Sequence, residues 1–457
     1  MIDSRLALSV DLYELTMAAA YFENGFHQPA VFELFVRSLP PHRSYLIAAG
    51  LQQAIEYLTH LRFTGDEIDF LRRQPVFKDV ATEFFEYLAD LRFTGDVWAM
   101  PEGTAAFPME PLLRVTAPII QAQLVETVLL STINFQTLIA SKAARVVTAA
   151  RGHEVIEFGT RRAHGTEAGV LAARAAYLAG CAGTSNVEAG HRFGVPIFGT
   201  LAHSFIMAFE WEEDAFRAFL KLFPDTATIL LDTYDTIAAT KTLAAKFGPR
   251  IPAVRLDSGR LLSLSRRVRH VLDQSGMTKT RIFASGDLNE RRIAGLVARG
   301  APIDAFGVGT ELSTSQDAPA LEAIYKLVGC STATGLEGRI KSSPNKSTYP
   351  FPKQVWRFVR KDGRYARDLI AGANEERPSS SAKALLEPVI RKGRVVPAGV
   401  VSLERARARA SEELQRLPPQ LLELEPQTRY PVRFSKALEK ARAELSAEIA
   451  TGERLRT

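Results

Sequence analysis

Residues 281–310 read RIFASGDLNERRIAGLVARGAPIDAFGVGT. The first four, Arg281-Ile282-Phe283-Ala284, have the composition of a short buried strand and run into Ser285-Gly286-Asp287. Asn289 to Arg299 then repeats its apolar residues at helical spacing. Ile303-Asp304-Ala305-Phe306 reads as a second strand, closing on Gly307-Val308-Gly309-Thr310. Strand, helix and strand in this order make a crossover, and crossovers join parallel neighbours.

The same unit recurs upstream. Val155-Ile156-Glu157-Phe158 leads to Gly159-Thr160-Arg161, and Pro196-Ile197-Phe198 to Gly199-Thr200-Leu201-Ala202-His203-Ser204. Ile229-Leu230-Leu231 leads to Asp232-Thr233-Tyr234-Asp235, and Ala253-Val254-Arg255-Leu256 to Asp257-Ser258-Gly259. Glu212 to Phe223 reads as one of the intervening helices. In all six units polar residues gather just after the strand, the side on which α/β barrels collect their chemistry. An open doubly wound sheet would gather ligands at one switch point instead of around a ring. The fold expected is α/β, an irregular or incomplete barrel of parallel strands. It carries a mixed α/β N-terminal domain (a helix over Asp11 to Phe22, a strand over Ala30–Val36) and a helical C-terminal extension. The expected boundaries are 1–125 for the N-terminal domain, completed by later segments, 126–330 for the barrel, and 331–457 for a loop-rich and helical region. In that last region Gly335 to Lys353 reads as a loop, Arg367 to Ala382 as exposed, and 402–416 and 434–450 as amphipathic helices. The hexapeptide Leu-Arg-Phe-Thr-Gly-Asp occurs at 61–66 and 91–96 without matching flanks, so it is not a repeat.

The chain has 457 residues, 46% hydrophobic and 24% charged, the composition of a folded globular protein of two or three domains. No run of eighteen apolar residues appears, so no membrane span is expected. Asp3, Arg5 and Asp11 are wrong for a secretory signal. Two distant cysteines, Cys181 and Cys330, fit a reducing cytosol and give no metal spacing. The net charge of +6 is dispersed, with Arg405, Arg407 and Arg409 set in a Glu-rich stretch, so a nucleic-acid partner is not expected.

The strand ends would assemble Arg161, Thr200, His203, Asp232, Arg255, Asp257 and Asp287 with two Gly turns. Backbone amides in such turns bind anions, phosphate above all, although Gly there serves backbone geometry just as often. Gly307-Val308-Gly309 lacks the third Gly of a dinucleotide fingerprint. Asp232, Asp257 and Asp287 would suit Mg²⁺ and ribose hydroxyls; each is equally a candidate helix cap. His203 is separated from its strand by four residues, where a neutral imidazole acts as base or nucleophile if an acid such as Asp232 orients it. No His-Glu-x-x-His motif exists for zinc hydrolysis. Arg161 and Arg255 are each suited to a carboxylate or phosphate, or to pairing with a neighbouring aspartate.

Six segments together resemble the nicotinate phosphoribosyltransferase family: 11–17 (Asp-Leu-Tyr-Glu-Leu-Thr-Met), 158–163 (Phe-Gly-Thr-Arg-Arg-Ala), 183–187 (Gly-Thr-Ser-Asn-Val), 199–204 (Gly-Thr-Leu-Ala-His-Ser), 254–259 (Val-Arg-Leu-Asp-Ser-Gly) and 306–310 (Phe-Gly-Val-Gly-Thr). The resemblance runs in order from about residue 6 to residue 360 and is loose in the last hundred residues. It implies the fold of type II phosphoribosyltransferases and a homodimer with shared active sites. It also implies transfer of phosphoribosyl from phosphoribosyl diphosphate to nicotinate, coupled to ATP hydrolysis, with Mg²⁺, in cytoplasmic NAD salvage. His203 matches the phosphorylated histidine, and Asp232 the position that orients it. Tyr13 of the partner would stack on the pyridine ring, with Thr200, Arg161 and Arg255 around nicotinate. Asp257, Gly286, Asp287, Gly309 and Thr310, together with Arg255, would hold the phosphoribosyl group. One departure stands out: Pro350-Phe351-Pro352-Lys353 replaces a common Pro-Gly-x-Lys, so a different loop backbone is expected. No phosphate role is carried to Lys353, and Lys341 and Lys346 are left unassigned. A nicotinamide-using sister enzyme and a catalytically silent nucleotide-binding paralogue are the alternatives. A quinolinate enzyme would decarboxylate without ATP and would not need His203.

Overall fold

The computed structural model describes residues 6–342 and 348–451, so Lys346 lies outside the described residues. Two compact units divide the chain, one formed by Met1–Leu138 with Ala320–Thr457 and the other by Ile139–Pro319.

The first unit is built on a seven-stranded antiparallel sheet. Its order is Gly335–Gly338, Ala323–Thr332, Pro29–Val36, Pro111–Pro118, Asp96–Ala99, Glu387–Arg391 and Arg394–Val395. Pro29–Val36 is buried along nearly its whole length, hence its almost unbroken apolar run. The one acid in that run, Glu33, ion-pairs with the Lys353 ammonium at 2.8 Å, and Arg114 donates to the Lys353 carbonyl at 2.6 Å. Lys353 is thus committed to the interior of this unit. Phe351 adopts φ 65°, the left-handed conformation for which glycine is the usual residue, and its N–H donates to Val328. The phenylalanine therefore adopts the backbone geometry that glycine favours.

The C-terminal region carries short strands besides its loops and helices. Lys353–Val359 and Tyr365–Gly372 pair antiparallel in a four-stranded sheet, and the helices Leu403–Arg416 and Lys436–Thr451 account for the rest of the regular structure only in part. The stretch read as exposed begins inside a strand because its charges are neutralised internally. Arg357, 1% exposed, pairs with Asp368 at 2.6 Å and with Glu413 at 2.8 Å, while Tyr365 and Tyr430 donate to the same two acids.

The second unit holds six parallel strands in the order Gly183–Thr184, Glu154–Glu157, Ala305–Val308, Arg281–Ala284, Ala253–Leu256 and Thr228–Leu230. The first long strand therefore lies beside the last, as in a ring. Ile197 adds a single parallel bridge to Thr184. Among the described residues no ladder joins Pro196-Ile197-Phe198 to Thr228–Leu230, so the parallel ladder is open there. Between the strands run helices such as Glu212–Leu222, Thr236–Phe247, Leu261–Gln274 and Glu290–Ala298. Cys181 and Cys330 are both buried and take part in no disulfide.

The helical run Ile119–Ala149 is long and apolar enough to cross a membrane by length and composition, which the sequence reading had not expected. Yet 61% of its most apolar window is buried within the protein, as in a core helix.

Candidate active site

The strand ends of the second unit converge on Arg255. Its Nε donates to Ser285 Oγ at 2.8 Å, and its Nη1 to Thr200 Oγ1 at 2.6 Å and to the Leu201 carbonyl at 3.3 Å. Its Nη2 donates to Asp257 Oδ1 at 2.7 Å. Three turns, two of them at strand ends, are thereby tied to one guanidinium, which also lies over the Phe158 ring at 5.7 Å. A guanidinium has five N–H donors. Four are used, leaving one on Nη2.

Asp257 also accepts from Ser285 Oγ at 2.5 Å. Burial pushes its carboxyl upward, but the Ser285 hydroxyl, Arg255 and His203 together hold it below the usual aspartate range. It stays ionised at neutral pH. His203 opens the short helix His203–Met207 and is partly exposed. Its Nδ1 lies 3.1 Å from Thr233 Oγ1, and its Nε2 lies 3.7 Å from Asp257 Oδ2, an ion-pair distance longer than a hydrogen bond.

Asp232 is not the group that meets His203. Its Oδ2 accepts from the Asp257 N–H at 2.9 Å and from Ser258 Oγ at 2.6 Å, while Oδ1 is buried without a partner. Asp232 instead braces the turn after the adjacent strand, Ala253–Leu256, and Thr233, the next residue in the Asp232 turn, takes the imidazole. The acids are not helix caps either. Those roles fall to Asn186, Asp235 and Asn289, whose side chains accept from the first N–H groups of their helices. Asp232, Asp257 and Asp287 are thereby freed from the structural role that the sequence left open for them.

Gly286 follows the Arg281–Ala284 strand at φ 92°, and a Cβ there would lie 1.9 Å from the Asp257 carbonyl. Only glycine fits this close approach. Asp287 next to it is exposed at φ 46°. Gly309 precedes the short helix Thr310–Ser313, and a Cβ there would lie 3.4 Å from the Phe158 carbonyl oxygen. Arg161 stands on the turn Thr160–Arg162, exposed and without a polar partner among the described residues. No group of three or more His, Cys, Asp or Glu among the described residues is arranged to hold a metal ion.

Tyr13 belongs to the other unit, on the helix Leu12–Glu23, and is 46% exposed. Burial and the carboxylates Glu126 and Glu14 push its phenol above the usual range, so it is neutral. Beneath it, buried Glu14 accepts from the Thr127 N–H at 3.1 Å and Oγ1 at 2.5 Å, with Oε2 unpartnered. Burial, opposed by Thr127, pushes this acid up to about 7. The native state therefore binds the Glu14 proton more tightly than the unfolded chain does. Stability should fall as pH rises from the ordinary carboxylate range through about 7, and then level off. Glu14→Gln is expected to remove that decline, as measured by urea midpoints from pH 5 to 8; parallel curves for the two proteins would refute the assignment.

Comparison with known proteins agrees along the chain. Residues 8–134 match the nicotinate phosphoribosyltransferase N-terminal domain, 139–319 the quinolinate phosphoribosyl transferase C-terminal domain, and 379–442 the nicotinate phosphoribosyltransferase C-terminal domain. A nicotinate phosphoribosyltransferase of Mycobacterium tuberculosis is 47% identical over 424 residues, covering 92% of this chain and 89% of its own. That of Bacillus subtilis is 42% identical over 397 residues, covering 85% and 80%. The crystal structure of human nicotinic acid phosphoribosyltransferase superposes with a TM-score of 0.84 at 29% identity, covering 95% of this chain and 99% of that one. With matches of this length and identity, the chain belongs to the nicotinate phosphoribosyltransferase family.

Proposed function

We propose that the protein transfers the phosphoribosyl group of phosphoribosyl diphosphate to nicotinate, giving nicotinate mononucleotide and diphosphate in cytosolic NAD salvage. The observation that carries this reading is the Arg255–Asp257–Ser285 assembly with His203 beside it and an unpaired Arg161, on a chain of this family. The pyridine nitrogen attacks the anomeric carbon as the bond to diphosphate breaks, so positive charge develops on the sugar. Ionised Asp257 stabilises that charge, while the Gly286 and Gly309 turns offer N–H groups to the anionic parts of the substrate. Arg161, with all its donors free, and the one remaining N–H of Arg255 suit the nicotinate carboxylate, with Thr200 alongside. A charged hydrogen bond of this kind is worth roughly 1.5–3 kcal/mol, which favours the acid over its amide.

ATP enters as co-substrate. Its terminal phosphoryl passes to the imidazole of His203, ADP leaves, and water later releases phosphate. Thr233 and Asp257 orient the ring for this. Mg²⁺ would arrive with the diphosphate oxygens and neutralise the leaving group. The unpartnered oxygen of Asp232 and the exposed carboxylate of Asp287 are the hard donors suited to it. Asp287, Gly309 and Thr310 are assigned to the phosphoribosyl group. A homodimer, with Tyr13 lent to the partner's nicotinate site, is supported by the exposed apolar side chains Leu12 and Tyr13 in one unit and Ile197, Phe198, Met207 and Trp211 in the other.

The test is product formation followed by chromatography, with nicotinate or nicotinamide, with and without ATP, for the native protein and His203→Ala. Nicotinate-dependent product is expected, stimulated by ATP, with the stimulation lost in the variant. Product from nicotinamide alone would move the protein to the sister activity. Binding of phosphoribosyl diphosphate without turnover of either base would make it a silent paralogue.

A further inference from the structure

We infer that Glu157, through Thr184, is a positioning residue that sets the turn carrying Arg161 and so governs nicotinate binding. Glu157 ends the strand Glu154–Glu157 with its side chain wholly buried and, among the described residues, no cation beside it. One carboxylate oxygen accepts from the Gly159 N–H, and the other accepts from Thr184 Oγ1 at 2.6 Å. Thr184 Oγ1 in turn accepts from the Asn186 N–H at 2.9 Å. Asn186 closes the circuit: its Nδ2 donates to Thr160 Oγ1 at 3.1 Å, and its Oδ1 caps the helix Val187–Phe193. The residue after Thr160 is Arg161.

Two features make this a device for placement and not filler. A lone buried carboxylate is costly, and burial pushes Glu157 up against the pull of its two donors. Nor does the turn have slack at Gly159, where a Cβ would meet Ser313 Oγ at 2.2 Å. The position of the turn therefore depends on what Glu157 accepts. A glutamine accepts at only one of its two terminal atoms. It must leave either the Gly159 N–H or the Thr184 hydroxyl hydrogen without a partner. The guanidinium it controls has no polar partner of its own among the described residues, so nothing else fixes where its donors sit.

This inference rests on the nicotinate role proposed for Arg161, and the experiment separates the two. Michaelis constants for nicotinate and phosphoribosyl diphosphate would be measured separately for Glu157→Gln, Thr184→Val, their double variant, Thr184→Ser and Arg161→Ala. Glu157→Gln and Thr184→Val should each raise the nicotinate KM about tenfold, with the phosphoribosyl diphosphate KM within about twofold. The double variant should be no worse than the poorer single one, since both break the same link. Thr184→Ser keeps the hydroxyl and should stay near the native value, which keeps the test open if Glu157→Gln does not fold. An equal rise in both constants, or additive effects in the double variant, would reduce Glu157 to a generic structural part. If Arg161→Ala raises the nicotinate KM while Glu157→Gln and Thr184→Val do not, the linkage is wrong and the role of Arg161 stands. If Arg161→Ala itself leaves the nicotinate KM unchanged, the role assigned to Arg161 falls, and the inference with it.

Discussion

Replacing Arg255 with alanine is expected to lower kcat/KM for nicotinate by about three orders of magnitude, the largest loss of any single change in the site. The side chain joins three turns, through Thr200, Ser285 and Asp257. Losing two charge-assisted bonds at roughly 1.5–3 kcal/mol each gives about 4 kcal/mol, or three decades. Lysine should rescue little. Its ammonium is a single point with three donors and cannot reach four acceptors spread around a planar fork. A second signature separates this role from simple binding. Arg255 is among the groups that hold Asp257 below the usual range. Without it, the Asp257 carboxyl titrates higher, and the acid limb of the pH–rate profile moves to higher pH. Steady-state kinetics across pH on Arg255→Ala and Arg255→Lys would check both. Activity within a few-fold of the native protein and an unmoved acid limb would remove Arg255 from the centre of the site.

Much of this was legible in the sequence, for identifiable reasons. Parallel strands buried on both faces read as short apolar runs, and their ends are marked by a change to Gly, Ser, Thr or Asp. Ala253–Leu256 and Arg281–Ala284 therefore appear in the structure with the ends expected. Gly183–Thr184 was missed as a strand because two residues carry no period, and Pro196-Ile197-Phe198 was overread because an apolar triplet does not guarantee a partner. Individual side-chain partners were less legible. Asp232 and Thr233 are adjacent in one turn, and which of them meets His203 depends on backbone direction, which spacing does not encode. The C-terminal strands were hidden by charge. Arg357, Asp368 and Glu413 look like surface residues until they are seen neutralising one another inside a sheet.

The same principle governs the stability of the catalytic unit, where Lys142→Met is expected to cost about 3–5 kcal/mol at neutral pH. Lys142 is 1% exposed and its ammonium meets Glu290 at 2.7 Å, Asp317 at 2.8 Å and Glu311 at 3.4 Å. Arg145 supplies the second cation, 3.3 Å from Glu290. Glu290 opens the helix that follows Ser285-Gly286-Asp287, and Glu311 lies in the first turn of the helix that follows Gly309. The cluster thus anchors the helices behind both Gly turns. Methionine fills similar volume without charge, so packing is largely kept while three acids lose their common partner. Burial raises Glu290, but Lys142 and Arg145 outweigh it and hold the acid below its usual value. In Lys142→Met the larger part of that support is lost and the acids take up protons more readily. Native Glu290 contributes stability above its unfolded pKa, and this is lost as pH falls. The gap between native protein and variant should therefore be widest near pH 7 and narrow toward pH 4. At about 2–4 °C per kcal/mol, the unfolding temperature should drop by roughly 10 °C at pH 7. Lys142→Arg, which keeps the charge, should recover part of it. A Lys142→Met protein whose stability differs from the native one by the same amount at pH 4 and pH 7 would mean that lost packing, not the unpaired acids, accounts for the change.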